Sequence, residues 1–419
     1  MRKGYKNDKE ACPFIKYRKR NEKNSSKKPI KFYWHKFKQL LIWQVSINSS
    51  NFAAEKNPIF YMNITEANVN QAVELLKVLV STPSISREEG DATDRLQLFI
   101  ERGAPVRFEM HRHLNNLWCV APGYNAQRPT LLLDAHIDTV KPVNDWSKHP
   151  FTPTVEGDII YGLGTNDDGA SLVSMLQVFY KICESEQKYN TIFLVSAEEE
   201  VSGKNGIESV IPAMPHIDCA IIGEPTGMQP AVAEKGLMVI DCMAKGVSGH
   251  AARNEGVNAI YKAVEDINWF RNYKYPKTSE LLGDVKMTVT QINAGHQHNV
   301  IPDSCSYVVD IRSNECYSNN ELLEIIRSNV GSEVKARSTR LNSSSIALEH
   351  PLVQRAVELG RKPFGSPTLS NQALLGIPTL KMGPGESSRS HTANEFIKIS
   401  EIREGMKLFC EMLDGLKLQ

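Results

Sequence analysis

Short apolar runs alternate with helical patterns along most of the chain. Apolar residues recur at helical spacing over 66–80, which predicts a helix that Thr65 could cap. Uniformly apolar runs predict buried strands at 129–133, 191–197 and 218–223. A longer apolar run predicts a helix at 170–183. Strands that alternate with helices in this way indicate an α/β fold, with a mostly parallel sheet and helices on both faces.

The pattern changes after residue 236. Strands are predicted at 237–244, 285–293, 306–311 and 333–337, and helices at 258–270 and 321–328. Their β-α-β-β-α-β order predicts an inserted, ferredoxin-like α+β unit with its own antiparallel sheet. The α/β pattern then resumes with a helix at 351–359, a strand at 379–382 and a helix at 400–416. We therefore expect a catalytic domain in two parts, 62–236 and 346–419, interrupted by an insert at 237–345.

The first 61 residues differ from the rest in composition and charge. Residues 1–60 hold 15 Lys and Arg against 4 Asp and Glu, a net charge of +11, so the remainder carries −10 of the overall +1. The segment has no sustained hydrophobic period, and its apolar stretch at 40–47 is far shorter than a membrane span. A disordered basic arm and a targeting segment are alternatives. We favour an extension without a catalytic role, disordered or outside the native protein, with Met62 as a natural start.

The overall composition is that of a soluble globular protein. The chain is 41% hydrophobic and 23% charged, and its net charge near zero gives no strong field toward nucleic acid or membrane. Its eight cysteines are scattered without a C-x-x-C pair, which argues against a disulfide framework or a cysteine zinc site. We expect reduced thiols in the cytoplasm, so any metal ion must be held by histidine and carboxylate.

Acidic residues and histidines follow the predicted strands at the point where each strand ends. Because functional residues gather at the carboxyl ends of strands in open α/β sheets, these side chains can share one cleft. In chain order they are His136 with Asp138, Asp167, Glu198–Glu200, Glu224 and, after a later strand, His391.

Each of these motifs also has a simpler structural interpretation. His136 could be a surface histidine beside an aspartate, and Asp167 or Asp168 could merely cap a helix. Three consecutive acids could form a solvated loop, and a single late histidine means little alone. Together, five histidine and carboxylate groups at successive positions favour a site for divalent metal ions, since zinc takes nitrogen and carboxylate oxygen as ligands.

The motifs and their order resemble the metallopeptidase family of acetylornithine deacetylase, succinyl-diaminopimelate desuccinylase, aminoacylase and glutamate carboxypeptidase. They are H-x-D-T-V from 136, G-x-G-x-x-D-D from 162, E-E-E-x-x-G from 198, G-E-P-T from 223 and the late histidine. The resemblance covers about 62–419 and is closest to acetylornithine deacetylase, through the tail G-P-G-E-S-S-R-S-H-T-A and the short length. It implies that the insert is a lid and dimerisation domain of a cytoplasmic homodimer.

The resemblance implies two divalent ions bridged by Asp167, with zinc favoured and cobalt or manganese as alternatives. The other ligands would be His136 and Glu224 at the first ion, and Glu200 and His391 at the second. Hydrolysis would begin when water loses a proton to the general base and attacks the acyl carbonyl. The base then passes the proton to the leaving amine.

The resemblance also assigns roles away from the ions. Glu199 matches the general base, and Asp138 the group that orients the first histidine ligand. In the insert, His250 resembles a histidine, often supplied by a partner subunit, that stabilises the oxyanion. Asn299 and Arg312 resemble substrate contacts, and the planar guanidinium of Arg312 suits a substrate α-carboxylate.

Four positions depart from the family pattern. Leu163 stands in place of an arginine, and Glu198 stands where aspartate is common. Asn371 and Asn394 stand where acids are expected. None of the four is an expected ligand.

We expect hydrolysis of an Nα-acyl amino acid, with N-acetylornithine favoured and N-acetylcitrulline or N-succinylornithine as close alternatives, in arginine biosynthesis. A succinyl-diaminopimelate desuccinylase, a broader aminoacylase or dipeptidase, and an inactive binding protein on the same fold are the rival hypotheses. The expected partner is a small-molecule substrate, with neither nucleic acid nor membrane.

Overall fold

The computed structural model describes residues 62–418, so the predictions for residues 1–61 lie outside the described part of the chain. The helices of the described part are α1 (Glu66–Val80), α2 (Gly90–Gly103), α3 (Ala170–Cys183), α4 (Ala259–Asn272), α5 (Asn319–Asn329), α6 (Pro351–Glu358) and α7 (Ile399–Leu413). The strands are β1 (Glu109–His113), β2 (Asn116–Val120), β3 (Thr130–His136), β4 (Thr154–Glu156), β5 (Ile159–Tyr161), β6 (Asn190–Ser196), β7 (Cys219–Ile222), β8 (Ala231–Glu234), β9 (Met238–Lys245), β10 (Gly249–His250), β11 (Lys286–Ala294), β12 (Val300–Ile301), β13 (Ser304–Arg312), β14 (Glu333–Ala336), β15 (Ser344–Ser345), β16 (Phe364–Ser366), β17 (Thr379–Lys381) and β18 (Phe396–Lys398).

The central sheet is built around four parallel strands. Its order is β1-β2-β6-β3-β7-β17-β8-β15, with β16 beside β8, and the strands from β6 to β17 run parallel. Antiparallel pairing continues the sheet on both sides, from β6 to β2 and from β17 to β8. β3 and β6 are buried along their whole length, which explains why they are uniformly apolar rather than alternating. The predicted α/β class with a mostly parallel sheet is confirmed.

The two faces of the central sheet are covered differently. Buried side chains of α1, α2, α3, α6 and α7 form one hydrophobic core with the face that carries Leu131 and Leu133. The opposite face, which carries Leu132 and Leu194, packs against short helical turns and loops around Ile207. The predicted helical cover is therefore made of α-helices on one face and mainly of single turns on the other.

The insert has a sheet and a core of its own. Its antiparallel sheet has the order β11-β13-β9-β14, and burial alternates along β9 and β13 because one face packs against α4 and α5. The element order β9, α4, β11, β13, α5, β14 is the expected β-α-β-β-α-β order. Two smaller antiparallel sheets, β10-β12 and β18-β5-β4, complete the described part. The domain boundaries at 236/237 and 345/346 stay predictions.

The sequence pattern missed α2 and the β1–β2 hairpin. β1 is largely exposed and its sequence, Glu-Met-His-Arg-His, contains no apolar run. By contrast, α1 and α3 begin and end at the predicted residues, because apolar spacing defines both. None of the helices between residues 62 and 418 combines the length and the apolar character that a bilayer span requires.

Candidate metal centre

The carboxyl ends of three neighbouring strands bring the predicted site together. His136 is the last residue of β3, and the acidic loop at 198–200 follows β6, the parallel neighbour of β3. Glu224 follows β7, on the other side of β3. Asp167 lies in the loop before α3, and His391 in the loop between β17 and β18. Parallel strands end at one edge of the sheet, so residues far apart in the chain meet there.

Asp167 lies between two groups of candidate ligands. Its Oδ1 is 3.2 Å from Nε2 of His136, and its Oδ2 is 3.6 Å from Nε2 of His391. The two carboxylate oxygens of Glu200 lie 3.0 and 2.9 Å from the same nitrogen of His391. The two histidines therefore face different oxygens of one buried carboxylate, which is the arrangement expected around a bridging ligand.

The backbone of Asp138 orients His136, and its side chain holds the acidic loop. Nδ1 of His136 lies 2.9 Å from the carbonyl oxygen of Asp138, so Nδ1 carries the hydrogen and Nε2 is free to bind a metal ion. The Asp138 carboxylate accepts hydrogen bonds from the backbone N–H of Glu199 at 3.0 Å and of Glu200 at 3.2 Å. It also accepts one from the Ser86 hydroxyl at 2.7 Å, whereas Nδ1 of His136 is 3.5 Å from Oδ1. The closest contact of Nδ1 is with the backbone oxygen, and the orienting role of the Asp138 carboxylate stays a prediction.

Glu199 and Glu224 complete the cluster. One ligand atom from each of His136, Glu199 and Glu224 lies within 4.8 Å of the others, and the same holds for His136, Asp167 and Glu200. Burial raises the pKa of Glu199 well above its usual range and the pKa of Glu224 to about 8. Burial opposes protonation of His136, but the neighbouring carboxylates raise its pKa well above the usual value.

This donor set fits two divalent cations. Four carboxylates and two histidines converge, and closely spaced buried carboxylates need cations to offset their charge. Histidine nitrogen and carboxylate oxygen are ligands that zinc takes in proteins. A carboxylate oxygen of Glu199 lies as close to His136 and Glu224 as a metal ligand would. The geometry therefore allows Glu199 to be either a ligand or a base, and the metal content of a Glu199 variant distinguishes the two roles.

Glu395 is a site residue that the sequence analysis missed. Its buried carboxylate accepts hydrogen bonds from the backbone N–H of Gly164 at 3.1 Å, Asn166 at 2.8 Å and Asp167 at 3.0 Å. It therefore holds the loop that carries the candidate bridging residue, although burial raises the pKa of Glu395 to about 8. The sequence clue is its position four residues after His391 and directly after Asn394, which stands where an acid is expected.

Asn371 departs from the family pattern for a reason that the structure shows. Its side-chain amide donates to Oδ2 of Asp134 and to Oγ of Ser196, both at 2.9 Å, and all three residues are buried. Asp134 lies two residues before the candidate ligand on β3, and burial raises its pKa to about 6. An aspartate at 371 would place a second buried carboxylate against Asp134, whereas asparagine supplies the donor.

The other departures also have local partners. Oδ1 of Asn394 accepts hydrogen bonds from the backbone N–H and the hydroxyl of Ser147, both at 2.9 Å. Its φ of +58° is a conformation that asparagine tolerates better than most residues. Leu163 is buried at the position where an arginine is expected. Glu198 is buried and accepts a hydrogen bond from Asn205 at 2.9 Å.

The candidate substrate residues of the insert are not joined to the metal cluster by any hydrogen bond or ion pair among residues 62–418. His250 and Asn299 lie close to each other, because β10 pairs with β12 and the backbone N–H of Ala251 donates to the Asn299 carbonyl at 3.0 Å. Arg312 is paired within its own strand: Nε and Nη2 contact the two oxygens of Asp310 at 2.8 and 3.2 Å. A substrate carboxylate would have to compete with Asp310 for this guanidinium.

The model of peptidase family M20/M25/M40 matches residues 132–415. An acetylornithine deacetylase from Pectobacterium carotovorum subsp. carotovorum is 27% identical over 377 residues, which cover 83% of this chain and 98% of that protein. An acetylornithine deacetylase from Klebsiella pneumoniae is 28% identical over 379 residues, with the same coverage. Among solved structures, the aminopeptidase PepT of Bacillus cereus has a TM-score of 0.66 at 20% identity, covering 83% of this chain and 98% of its own. A dinuclear metal-binding M20 peptidase of Bacillus subtilis has a TM-score of 0.63 at 16% identity, covering 84% and 98%.

Proposed function

The chain belongs to peptidase family M20/M25/M40 and is a hydrolase of amide bonds, and we propose that it deacylates an Nα-acyl amino acid, with N-acetylornithine as the favoured substrate. The proposal places this reaction in arginine biosynthesis in the cytoplasm. Modest similarity to the acetylornithine deacetylases, over almost their whole length, supports the choice of substrate.

The observation that carries the proposal is the position of Asp167 between His136 and the pair formed by His391 and Glu200. We assign His136 and Glu224 to one divalent ion, His391 and Glu200 to the other, and Asp167 to both. Zinc is the proposed metal. When bound, such ions lower the pKa of water and polarise a carbonyl group.

Glu199 performs the proton transfer in this proposal. Burial raises the pKa of its carboxyl group, which strengthens it as a base toward water held at the site. Asp138 fixes the backbone of Glu199, and so limits where the carboxylate can reach. The proton taken from water then passes from Glu199 to the nitrogen of the leaving amine.

We propose that the insert forms a homodimer and that His250 acts on the substrate bound to the partner. β11 is an edge strand with no second pairing partner among residues 62–418, and it exposes Ile292. The helix α4 exposes Tyr261 and Val264, and Val300 is exposed beside His250. Large exposed apolar side chains close to a free strand edge are typical of a subunit interface.

A substrate panel tests the reaction. The full chain is loaded with zinc or cobalt, and its metal content is measured. Release of free amine is then followed with N-acetyl and N-succinyl derivatives of ornithine, citrulline, diaminopimelate and neutral amino acids, and with dipeptides. We expect two ions per chain and the highest kcat/KM with N-acetylornithine. A preference for succinyl-diaminopimelate or for dipeptides would replace the proposed substrate.

A mixing experiment tests the shared site. We expect His250→Ala and Glu199→Gln each to be inactive alone. When subunits exchange, a mixed dimer regains one complete site if His250 serves the partner, so activity should return to roughly a quarter of the normal level. Sedimentation velocity reports whether the chain is a dimer. A monomer, or a dimer in which mixing restores nothing, would contradict this part of the proposal.

A further inference from the structure

A cleft of about 470 Å³ lies beside the candidate ligand Glu224. Its lining includes Glu224, Thr226, Lys362, Phe364, Lys381 and Glu386, so it combines charged groups of both signs with one aromatic side chain. Its volume lies within the range of small-molecule sites. A substrate whose amide lies at the metal centre can therefore extend its side chain into this cleft.

Two loops that carry site residues form one wall of the cleft, and backbone hydrogen bonds join them. The N–H groups of Thr226 and Met228 donate to the Gly383 carbonyl at 3.2 and 2.9 Å, and the N–H of Gly227 donates to the Gly385 carbonyl at 2.6 Å. The loop after β7 and the loop after β17 are thus held in register. The position of Glu386 relative to the metal centre is fixed by this pairing.

The backbone of Glu386 is held by a residue next to the candidate bridging ligand. The Asn166 side chain accepts from the N–H of Glu386 at 3.0 Å and donates to its carbonyl at 3.1 Å. On the opposite loop, Gly227 has a φ of +61°, and a Cβ added there would lie 2.9 Å from Oε1 of Glu386. Glycine therefore allows the carboxylate to lie against the backbone.

The carboxylate of Glu386 has no hydrogen bond or ion pair among residues 62–418. The other charges of the cleft are arranged differently. Lys381 is buried and its ammonium group contacts Glu234 at 3.1 Å and the carbonyl of Thr368 at 3.0 Å, so its charge is already matched. Lys362 is exposed and makes no ion pair within the described chain. Arg389, three residues further along, is paired with Glu401 and also interacts electrostatically with Glu386. Glu386 itself is exposed, so its carboxylate is a positioned negative charge that is open to solvent and makes no direct ion pair in the described chain.

We propose that Glu386 determines specificity by binding a positively charged group on the side chain of the acylated amino acid. This inference rests on the proposed deacylation. It predicts that the enzyme prefers a substrate with a cationic side chain, as in ornithine, to one with a neutral side chain of similar length, as in citrulline. The physical basis is a charge-assisted hydrogen bond between an ammonium group and the exposed carboxylate of Glu386.

The test compares wild type with Glu386→Gln, which keeps the shape and removes the charge. kcat/KM is measured with Nα-acetylornithine and Nα-acetylcitrulline, using the full chain with two ions bound. We expect the ornithine to citrulline ratio to fall about fivefold in the variant, the upper end of the range for an ion pair with an exposed carboxylate. Glu386→Asp should retain part of the preference. Glu411→Gln, which removes an exposed charge on α7 outside the cleft, should leave the ratio unchanged.

A binding measurement separates this inference from the proposed reaction. Calorimetry with L-ornithine and L-citrulline, the corresponding amine products, requires no turnover. We expect wild type to bind ornithine more tightly than citrulline, and Glu386→Gln to lose this difference with unchanged metal content and Tm. This result supports the inference even if neither acetyl derivative is cleaved. In that case only the proposed function fails. The inference is overturned if the ratio and the ornithine Kd change less than about twofold. It is also overturned if Lys362→Met abolishes cleavage of N-succinyl substrates while Glu386→Gln has no effect, since the cleft would then bind an anionic acyl group.

Discussion

Replacing Asp138 with asparagine should damage the acidic loop more than the histidine ligand. One carboxylate oxygen of Asp138 accepts from the N–H of Glu199, and the other accepts from the N–H of Glu200 and from Ser86. An asparagine side chain keeps one acceptor and turns the other into a donor. At least one loop N–H then faces another donor, whichever way the amide is turned.

The favoured orientation places the new NH₂ group toward Ser86, because the serine hydroxyl can rotate and accept a hydrogen bond. The N–H of Glu200 then loses its acceptor in a partly buried environment, which costs about 1–3 kcal/mol. The carbonyl oxygen that orients His136 belongs to the backbone and is retained. We therefore expect stability to fall by about 2 kcal/mol and kcat to fall by about 10- to 100-fold, the range for loss of a supporting contact at a metal site.

The assay is urea unfolding together with kcat, KM and the affinity of each metal site by chelator competition. Ser86→Ala is the matched control, since it removes one hydrogen bond to the same carboxylate without adding a donor and should cost about 1 kcal/mol. We expect the affinity of the site that contains Glu200 to weaken while the site of His136 and Glu224 changes little. Loss of affinity mainly at the His136 site would refute this reasoning, because the carboxylate would then be the group that orients the histidine.

Three further predictions concern the base, the buried polar network and the pH dependence of metal binding. Glu199→Gln should keep two ions per chain and lower kcat by about 10²- to 10⁴-fold, and loss of one ion in metal analysis would make Glu199 a ligand instead. Asn371→Asp should destabilise the protein by about 3 kcal/mol at pH 8 and by less at pH 5, where Asp134, with a pKa of about 6, can share a proton with the new carboxyl group. Equal urea midpoint shifts at both pH values would contradict this. The Glu200 carboxylate raises the pKa of His391 to about 9, so a proton competes with the metal ion for His391 below that pH. The metal affinity of the site that contains His391 should therefore weaken by up to about tenfold for each pH unit below about 9. Chelator competition between pH 6.5 and 8.5 measures this metal affinity, and an affinity that stays constant over that range would contradict the prediction.

Much of the fold could be predicted from the sequence because its apolar patterns are strong. The helices α1 and α3 have the predicted bounds, and the insert has the predicted element order. The β1–β2 hairpin and α2 could not be found in this way. An exposed edge strand such as β1 has no apolar face to mark it, so its pairing depends on the neighbouring strand rather than on its own residues.

The acids and histidines that follow the strands, from His136 to His391, can be identified from the amino-acid sequence alone. The reason is that buried parallel strands must be apolar, so polar residues appear abruptly where each strand ends, and those ends share one edge of the sheet. Which atoms these side chains contact depends on how the folded chain packs. Glu395 holds the backbone of Asn166, 229 residues away in the chain, and Arg312 contacts Asp310 rather than the metal centre. Such choices depend on distances of about 3 Å between loops, which packing of the whole domain fixes and local pattern does not.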